Sequence, residues 1–275
     1  MSAKGLIGIG ALLLAAAPAA AAPSSSLAAH RAIYDLVLDQ SNEDNQAAPD
    51  ISGRMVMEFT GSACAGYTTK VRFVTESADS DGQSQIVDSR SDLFEAGDGE
   101  SLTFSNETYT DNAITEESKG SAKRESSEVA VALSKPEAKK FAIRNKVVFP
   151  TEQMEALINA AKSGQNFVNL DLYDGSEDGQ TVFTTAGIIG HEAAADPAGD
   201  SEGGIIKSAG ISGLRHWPVT ISYFKDGPDD SEPYYTMSFV VYENGIGRSL
   251  KINYGDFSLT GKLTKLEMLP AQPCK

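Results

Sequence analysis

From His30 onward, apolar residues recur at every second position, and that period commits most of the chain to β-strands. His30, Ala32, Tyr34, Leu36 and Leu38 fall on one side, with Arg31, Asp35 and Asp39 on the other. Met55, Met57 and Phe59 alternate with Arg54 and Glu58, and Tyr67, Thr69, Val71 and Phe73 alternate with Lys70 and Arg72. The pattern returns at Val129 to Leu133, Phe141 to Phe149, Phe167 to Tyr173, Val182 to Ile189, Val219 to Phe224, Tyr235 to Tyr242, Ile246 to Tyr254 and Phe257 to Met268. Asp81-Gly82, Asp98-Gly99, Asp174-Gly175, Asp178-Gly179, Asp226-Gly227-Pro228 and Asn244-Gly245 supply turn chemistry between these segments. About twelve to fourteen strands in antiparallel hairpins are expected. A sheet of that size must close, curl or split to manage its edges, which predicts a mainly β fold curled into a broken barrel or spiral.

One segment keeps a helical period instead. Met154, Leu157, Ile158 and Ala161 fall at i, i+3, i+4 and i+7, with Thr151 as N-cap and Gly164 as stop. This predicts one central helix over about 151–163, with an apolar face that braces the concave side of the sheet. Ser41 to Asp50 and Asp111 to Ser127 read as long polar loops, and Ala193 to Gly204 as a mobile acidic insertion. No composition break divides the chain, so residues 23–275 are expected to form a single domain.

The first 22 residues have a different character. Lys4 precedes an apolar stretch from Leu6 to Ala17, and Pro18 to Ala22 offers small-residue cleavage sites. The apolar run is well short of the ~20 residues a membrane-spanning helix needs. A signal peptide cleaved near Ala22 is therefore expected, with the protein secreted or periplasmic. In that oxidising compartment the two cysteines, Cys64 and Cys274, read as a disulfide, although two free thiols are the alternative. The bridge would enclose 274 − 64 = 210 residues and tie down a tail that follows two prolines.

Charge narrows the partners. With 38 acidic and 23 basic residues the net charge is −15, and no basic run exceeds two residues, so nucleic acid is a poor partner. No cofactor motif is present. The G-x-S-x-G elbow of hydrolases is absent: Gly210-Ile211-Ser212-Gly213 is incomplete, and Gly175-Ser176-Glu177-Asp178-Gly179 is spaced differently. His191-Glu192 opens like a zinc motif, but Ala195 occupies the second ligand position, and His30 and His216 are remote in sequence. Asp171, Asp174, Glu177 and Asp178 cluster without EF-hand order, as does Asp79-Ser80-Asp81-Gly82. Tyr34, Phe59, Phe73, Tyr109, Trp217, Tyr223, Tyr235 and Tyr242 mostly sit at alternating strand positions, where packing is their default role. With Met55 and Met57, some of them would line a groove for lipid or another apolar ligand if the sheet leaves its interior open.

Several longer strings carry a family resemblance: His30-Arg31-Ala32-Ile33-Tyr34-Asp35-Leu36, Gly53-Arg54-Met55-Val56-Met57-Glu58-Phe59, Gly61-Ser62-Ala63-Cys64-Ala65-Gly66-Tyr67, Phe149-Pro150-Thr151-Glu152-Gln153-Met154-Glu155-Ala156-Leu157, Trp217-Pro218-Val219-Thr220-Ile221-Ser222-Tyr223 and Tyr254-Gly255-Asp256-Phe257. Together they resemble the EipB-like cell-envelope integrity proteins, a periplasmic family, over about His30 to Cys274. The resemblance implies a spiral-like broken barrel tied by a disulfide that maps onto Cys64 and Cys274. It also implies a non-enzymatic role in envelope integrity, with a periplasmic protein of the TPR-repeat type as suggested partner. It carries over no catalytic residue, metal or cofactor.

Overall fold

A computed structural model describes residues 27–39, 50–78, 82–144, 146–193, 200–225 and 232–272. The leader, most of the Ser41 to Asp50 stretch, Asp79 to Asp81, Ala195, Asp226 to Pro228 and Cys274 lie outside the described residues.

The described strands number fifteen and form one sheet. A first meander runs through β1 (His30–Leu38), β2 (Asp50–Ser62), β3 (Gly66–Ala78), β4 (Ser84–Glu95), β5 (Ser101–Thr110), β6 (Ala113–Arg124), β7 (Val129–Lys135) and β8 (Lys139–Ile143). A second runs through β9 (Val147–Val148), β10 (Phe167–Leu172), β11 (Phe183–Ile189), β12 (His216–Lys225), β13 (Tyr235–Tyr242), β14 (Gly247–Asn253) and β15 (Ser258–Met268). β1 and β15 pair antiparallel from His30 opposite Met268 to Leu38 opposite Leu259, so the two ends of the chain complete the circuit. Among the described residues, no ladder joins β8 to β9. The result is a nearly closed barrel whose seam lies at mid-chain.

The expected Asp111 to Ser127 loop is instead mostly β6, paired to β5 through a two-residue turn in which Asp111 and Asn112 have φ of 50° and 68°. Positive φ at both central residues is the turn that matches strand twist. β4 and β5 also escaped the sequence reading. Their inward positions pass from Leu93 and Phe104 to Ser91, Ser89, Asn106 and Thr108, so the apolar alternation fades where the lumen is polar. The expected Phe141 to Phe149 strand divides into β8 and β9 at opposite edges of the sheet.

Helix α1 (Pro150–Lys162) connects β9 to β10, and this crossover makes theirs a parallel pair. Its N-cap is Phe149 and not Thr151; Glu152 reaches back to the Phe149 N–H at 3.1 Å. Leu157, Ile158, Ala160 and Ala161 bury against Leu172, Phe183, Ile189 and Trp217 of the second meander and Phe59 and Tyr67 of the first. Gly187 admits the helix, since a Cβ there would lie 2.8 Å from Leu157. The helix therefore braces the concave side and spans both halves.

The seam is held by side chains. Arg124 donates to the carbonyls of Gly99 and Val147, both at 2.8 Å, pairs with Glu152 and covers the Phe149 ring. Around it Leu102, Phe104, Val129, Val131 and Ile143 pack against Val147, Phe149 and Tyr173.

The Ala193 to Gly204 reading needs correction where the chain is described. Asp200 and Glu202 lead into a second helix, α2 (Gly203–Ser208), that was not expected. Glu202, only 4% exposed, accepts hydrogen bonds from the backbone N–H groups of Ser249 on β14 and Leu263 on β15, and from the Ser249 hydroxyl. It occupies the place where those strands splay beyond the Leu250–Gly261 pair. Residues 200–211 are thus a wedge in the sheet, with Ile206 and Ile211 buried beside Tyr242 and Ile246.

Candidate functional site in the lumen and at its rims

Inward-facing residues of β3 to β6 and the loop after β10 enclose a polar cavity of about 300 Å³, bordered by Phe73, Ser89, Asn106, Glu116, Asp174 and Glu177. The loop is fixed by its Gly175 carbonyl, which accepts from Asn106 Nδ2 at 2.9 Å and from the Ser118 hydroxyl. Burial raises the Asp174 pKa above the ordinary carboxylate value, against the opposing hydrogen bonds from Ser176. The same burial raises the phenols of Tyr223 and Tyr235, whose rings stack at 4.3 Å. Lys225 lies 3.3 Å from the Tyr234 ring centroid and 2.8 Å from Glu177, an aromatic and carboxylate clamp.

Near the N-terminus of α1 lies a smaller, mainly apolar cavity of about 170 Å³, lined by His30, Met57, Phe59, Pro150, Met154 and Leu27. An apolar cavity of roughly 150 Å³ accommodates a molecule the size of benzene. His30 is buried, its Nδ1 is 2.7 Å from the Ala28 carbonyl, and desolvation lowers its pKa. Nearby, the Glu95 carboxylate receives the Thr151 N–H and hydroxyl, and burial pushes its pKa up to about 7. Sequence reading missed Glu95. Its inward parity with Leu93 is the signal, legible only once β4 is assigned.

The residues singled out for chemistry diverge. Glu192 pairs with Arg215 beside exposed His191 at the mouth of a third cavity of about 310 Å³. His30 and His216 each direct Nδ1 to a nearby backbone carbonyl. Among the described residues, no three His, Cys, Asp or Glu side chains are placed to hold a metal. Asp171 accepts from Thr184, Asp174 from Ser176, Asp178 from Gln180, and Glu177 engages Lys225. Ser212 is exposed beyond α2. Of the aromatic set, Tyr34 donates to the Gly247 carbonyl at 2.7 Å, Phe59 stacks on Tyr67, and Tyr109 lies outside the barrel under Arg90. Trp217 is buried beside α1, and Tyr242 packs against His216. Met55 supports the core around Tyr34.

Cys64 sits in the turn between β2 and β3, while its expected partner Cys274 lies outside the described residues. No described helix is long and apolar enough to cross a membrane.

Comparison with known proteins matches this architecture. A cell envelope integrity protein EipB from Brucella abortus (strain 2308) is 42% identical over 255 residues, covering 92% of this chain and 88% of the relative. A crystal structure of a beta-barrel-like protein of a domain of unknown function, also from Brucella abortus, superposes with a TM-score of 0.81 at 40% identity, covering 89% of this chain and 99% of the other. The EipB-like family model matches residues 21–270, and with that span and those relatives the chain belongs to the EipB-like family.

Proposed function

We propose that this chain is a non-enzymatic periplasmic protein that maintains cell-envelope integrity by binding another protein, a TPR-repeat protein being the partner class the family resemblance suggests. Support for the role comes from the relative named as a cell envelope integrity protein. The observation that carries the mode of action is α1, which with its packing partners occupies the concave side of the second meander, so the broadest accessible features are the outer faces and rims. Asp171, Asp174, Glu177, Asp178 and Glu192 are scattered and engaged in hydrogen bonds or ion pairs, which supports the non-enzymatic reading.

In this reading the leader through about Ala22 is removed on export, and Cys64 bonds Cys274. The tail favours that bond. Leu269 N–H donates to the Ala29 carbonyl at 2.9 Å, so the chain leaves the sheet at the barrel end that carries the Cys64 turn.

Capture of the tagged protein from crosslinked envelopes, identified by mass spectrometry against a tag-only control, tests the partner. One enriched periplasmic protein supports the reading, and none opposes it. The apolar cavity beside His30 favours a second reading, binding of a lipid or another apolar ligand. A stoichiometric acyl species extracted from purified protein would favour carriage.

A further inference from the structure

The outer face of β6, β7 and β8 departs from the charge of the whole molecule. Residues 113–146 carry eight Lys or Arg and five Glu, a net 8 − 5 = +3, which leaves −15 − 3 = −18 on the rest of the chain. Strand register puts four of these cations, Lys119, Lys123, Lys135 and Lys140, on the outer surface, while Arg124 and Lys139 take the opposite parity. Phe94, Thr103, Ser121, Ala132 and Lys140 form a continuous cross-strand row from β4 to β8. The next row runs Ser101, Lys123, Ala130, Ala142, and the row on the other side runs Asp92, Ser105, Lys119, Lys135. Lys119, Lys123 and Lys140 are exposed and make no ion pair among the described residues; Lys135 pairs with Glu117. Strand geometry separates Lys123 from Lys140 by roughly 12 Å and Lys119 from Lys123 by roughly 14 Å. Exposed Arg144 and Lys146 extend the charge around the seam.

Lysine on an edge strand often serves only to block edge-to-edge pairing. That accounts for Lys139 and Lys140 on β8, but not for Lys119 and Lys123, which lie two strands further in. Between the cations the side chains are short (Ala130, Ala132, Ala142, Ser121), so the described rows of this face offer no central aromatic anchor of the kind that dominates protein interfaces. A flat array of spaced lysines suits a surface of distributed negative charge. Phe94, 44% exposed at the end of its row, adds an apolar contact at the rim.

We propose that the outer face of β6 to β8 docks on an anionic lipid bilayer. Asp92 and Glu107 adjoin this face on β4 and β5, and screening over roughly 10 Å weakens the repulsion from the acidic remainder of the molecule. Each lysine near such a surface strengthens partition about fivefold.

Sedimentation of the purified protein with vesicles tests this, using phosphatidylcholine alone or mixed with phosphatidylglycerol, at low and high salt. Binding is expected only with phosphatidylglycerol, weakening with salt. It should fall by at least about a hundredfold in the triple variant Lys119→Glu, Lys123→Glu, Lys140→Glu. A control, Lys262→Glu with Lys265→Glu on exposed positions of β15, should bind like the parent. Equal binding to neutral vesicles, equal loss in the control, or no binding at low salt would overturn the proposal. Capture of soluble polyglutamate without vesicle binding would assign the face to an acidic protein instead. Circular dichroism of each variant separates lost binding from lost folding.

Discussion

Glu95, at the end of β4, accepts both the backbone N–H and the hydroxyl of Thr151, at 3.0 and 2.7 Å, and so fastens the first turn of α1 to the first meander. The contact joins residues 56 positions apart, with Glu95 only 3% exposed. Desolvation outweighs the hydrogen bonds and the positive helix terminus, and the pKa rises from 4.5 to about 7.

Stability should consequently fall with rising pH. The folded state keeps a proton on Glu95 that the unfolded state releases near pH 4.5, so this contribution is full below that value and is lost progressively as pH approaches 7. The change amounts to about 3 kcal/mol, and burial of Asp174 acts in the same direction. Urea unfolding between pH 4.5 and 8 should show the slope, and Glu95→Gln should flatten it while raising stability at pH 8. An equal slope in the variant would refute the assignment.

Glu202→Ala should destabilise by about 3 to 5 kcal/mol, because buried Arg248 and the strand N–H groups of Ser249 and Leu263 would lose a common acceptor. Hydrogen exchange should rise first where β14 and β15 splay. A loss below 1 kcal/mol would show that water replaces the wedge without cost.

Gly175 has φ of 72°, and a Cβ there would lie 2.3 Å from the buried Phe104 ring. Gly175→Ala should cost about 2 kcal/mol or more and loosen the loop held by Asn106 and Ser118. Thermal denaturation with proteolysis of the 173–182 segment measures both effects.

The proposed Cys64–Cys274 bond predicts that Cys64→Ser lowers the melting temperature by roughly ten degrees in oxidising buffer and exposes the tail to protease. A matching decrease in the parent protein under reducing conditions would tie the effect to the bond. An unchanged melting temperature would remove its structural role.

Local sequence determined the hairpins. Alternation at His30 to Leu36 sets which side of β1 is buried, Asn244-Gly245 turns β13 into β14, and the 3.6-residue period marks α1, because each depends on neighbours within a few residues. Tertiary structure decided where that logic stops. β5 and β6 carry Asn106, Thr108, Glu116 and Ser118 inward because their half of the lumen is polar, so periodicity alone could not reveal them. Likewise, Glu95 meets Thr151 across 56 residues, and Glu202 reaches Ser249 and Leu263 across 47 and 61, separations no local pattern encodes. Sequence sets the inward and outward sides of a strand, but closure of the sheet determines what occupies its interior and which charges share its outer face.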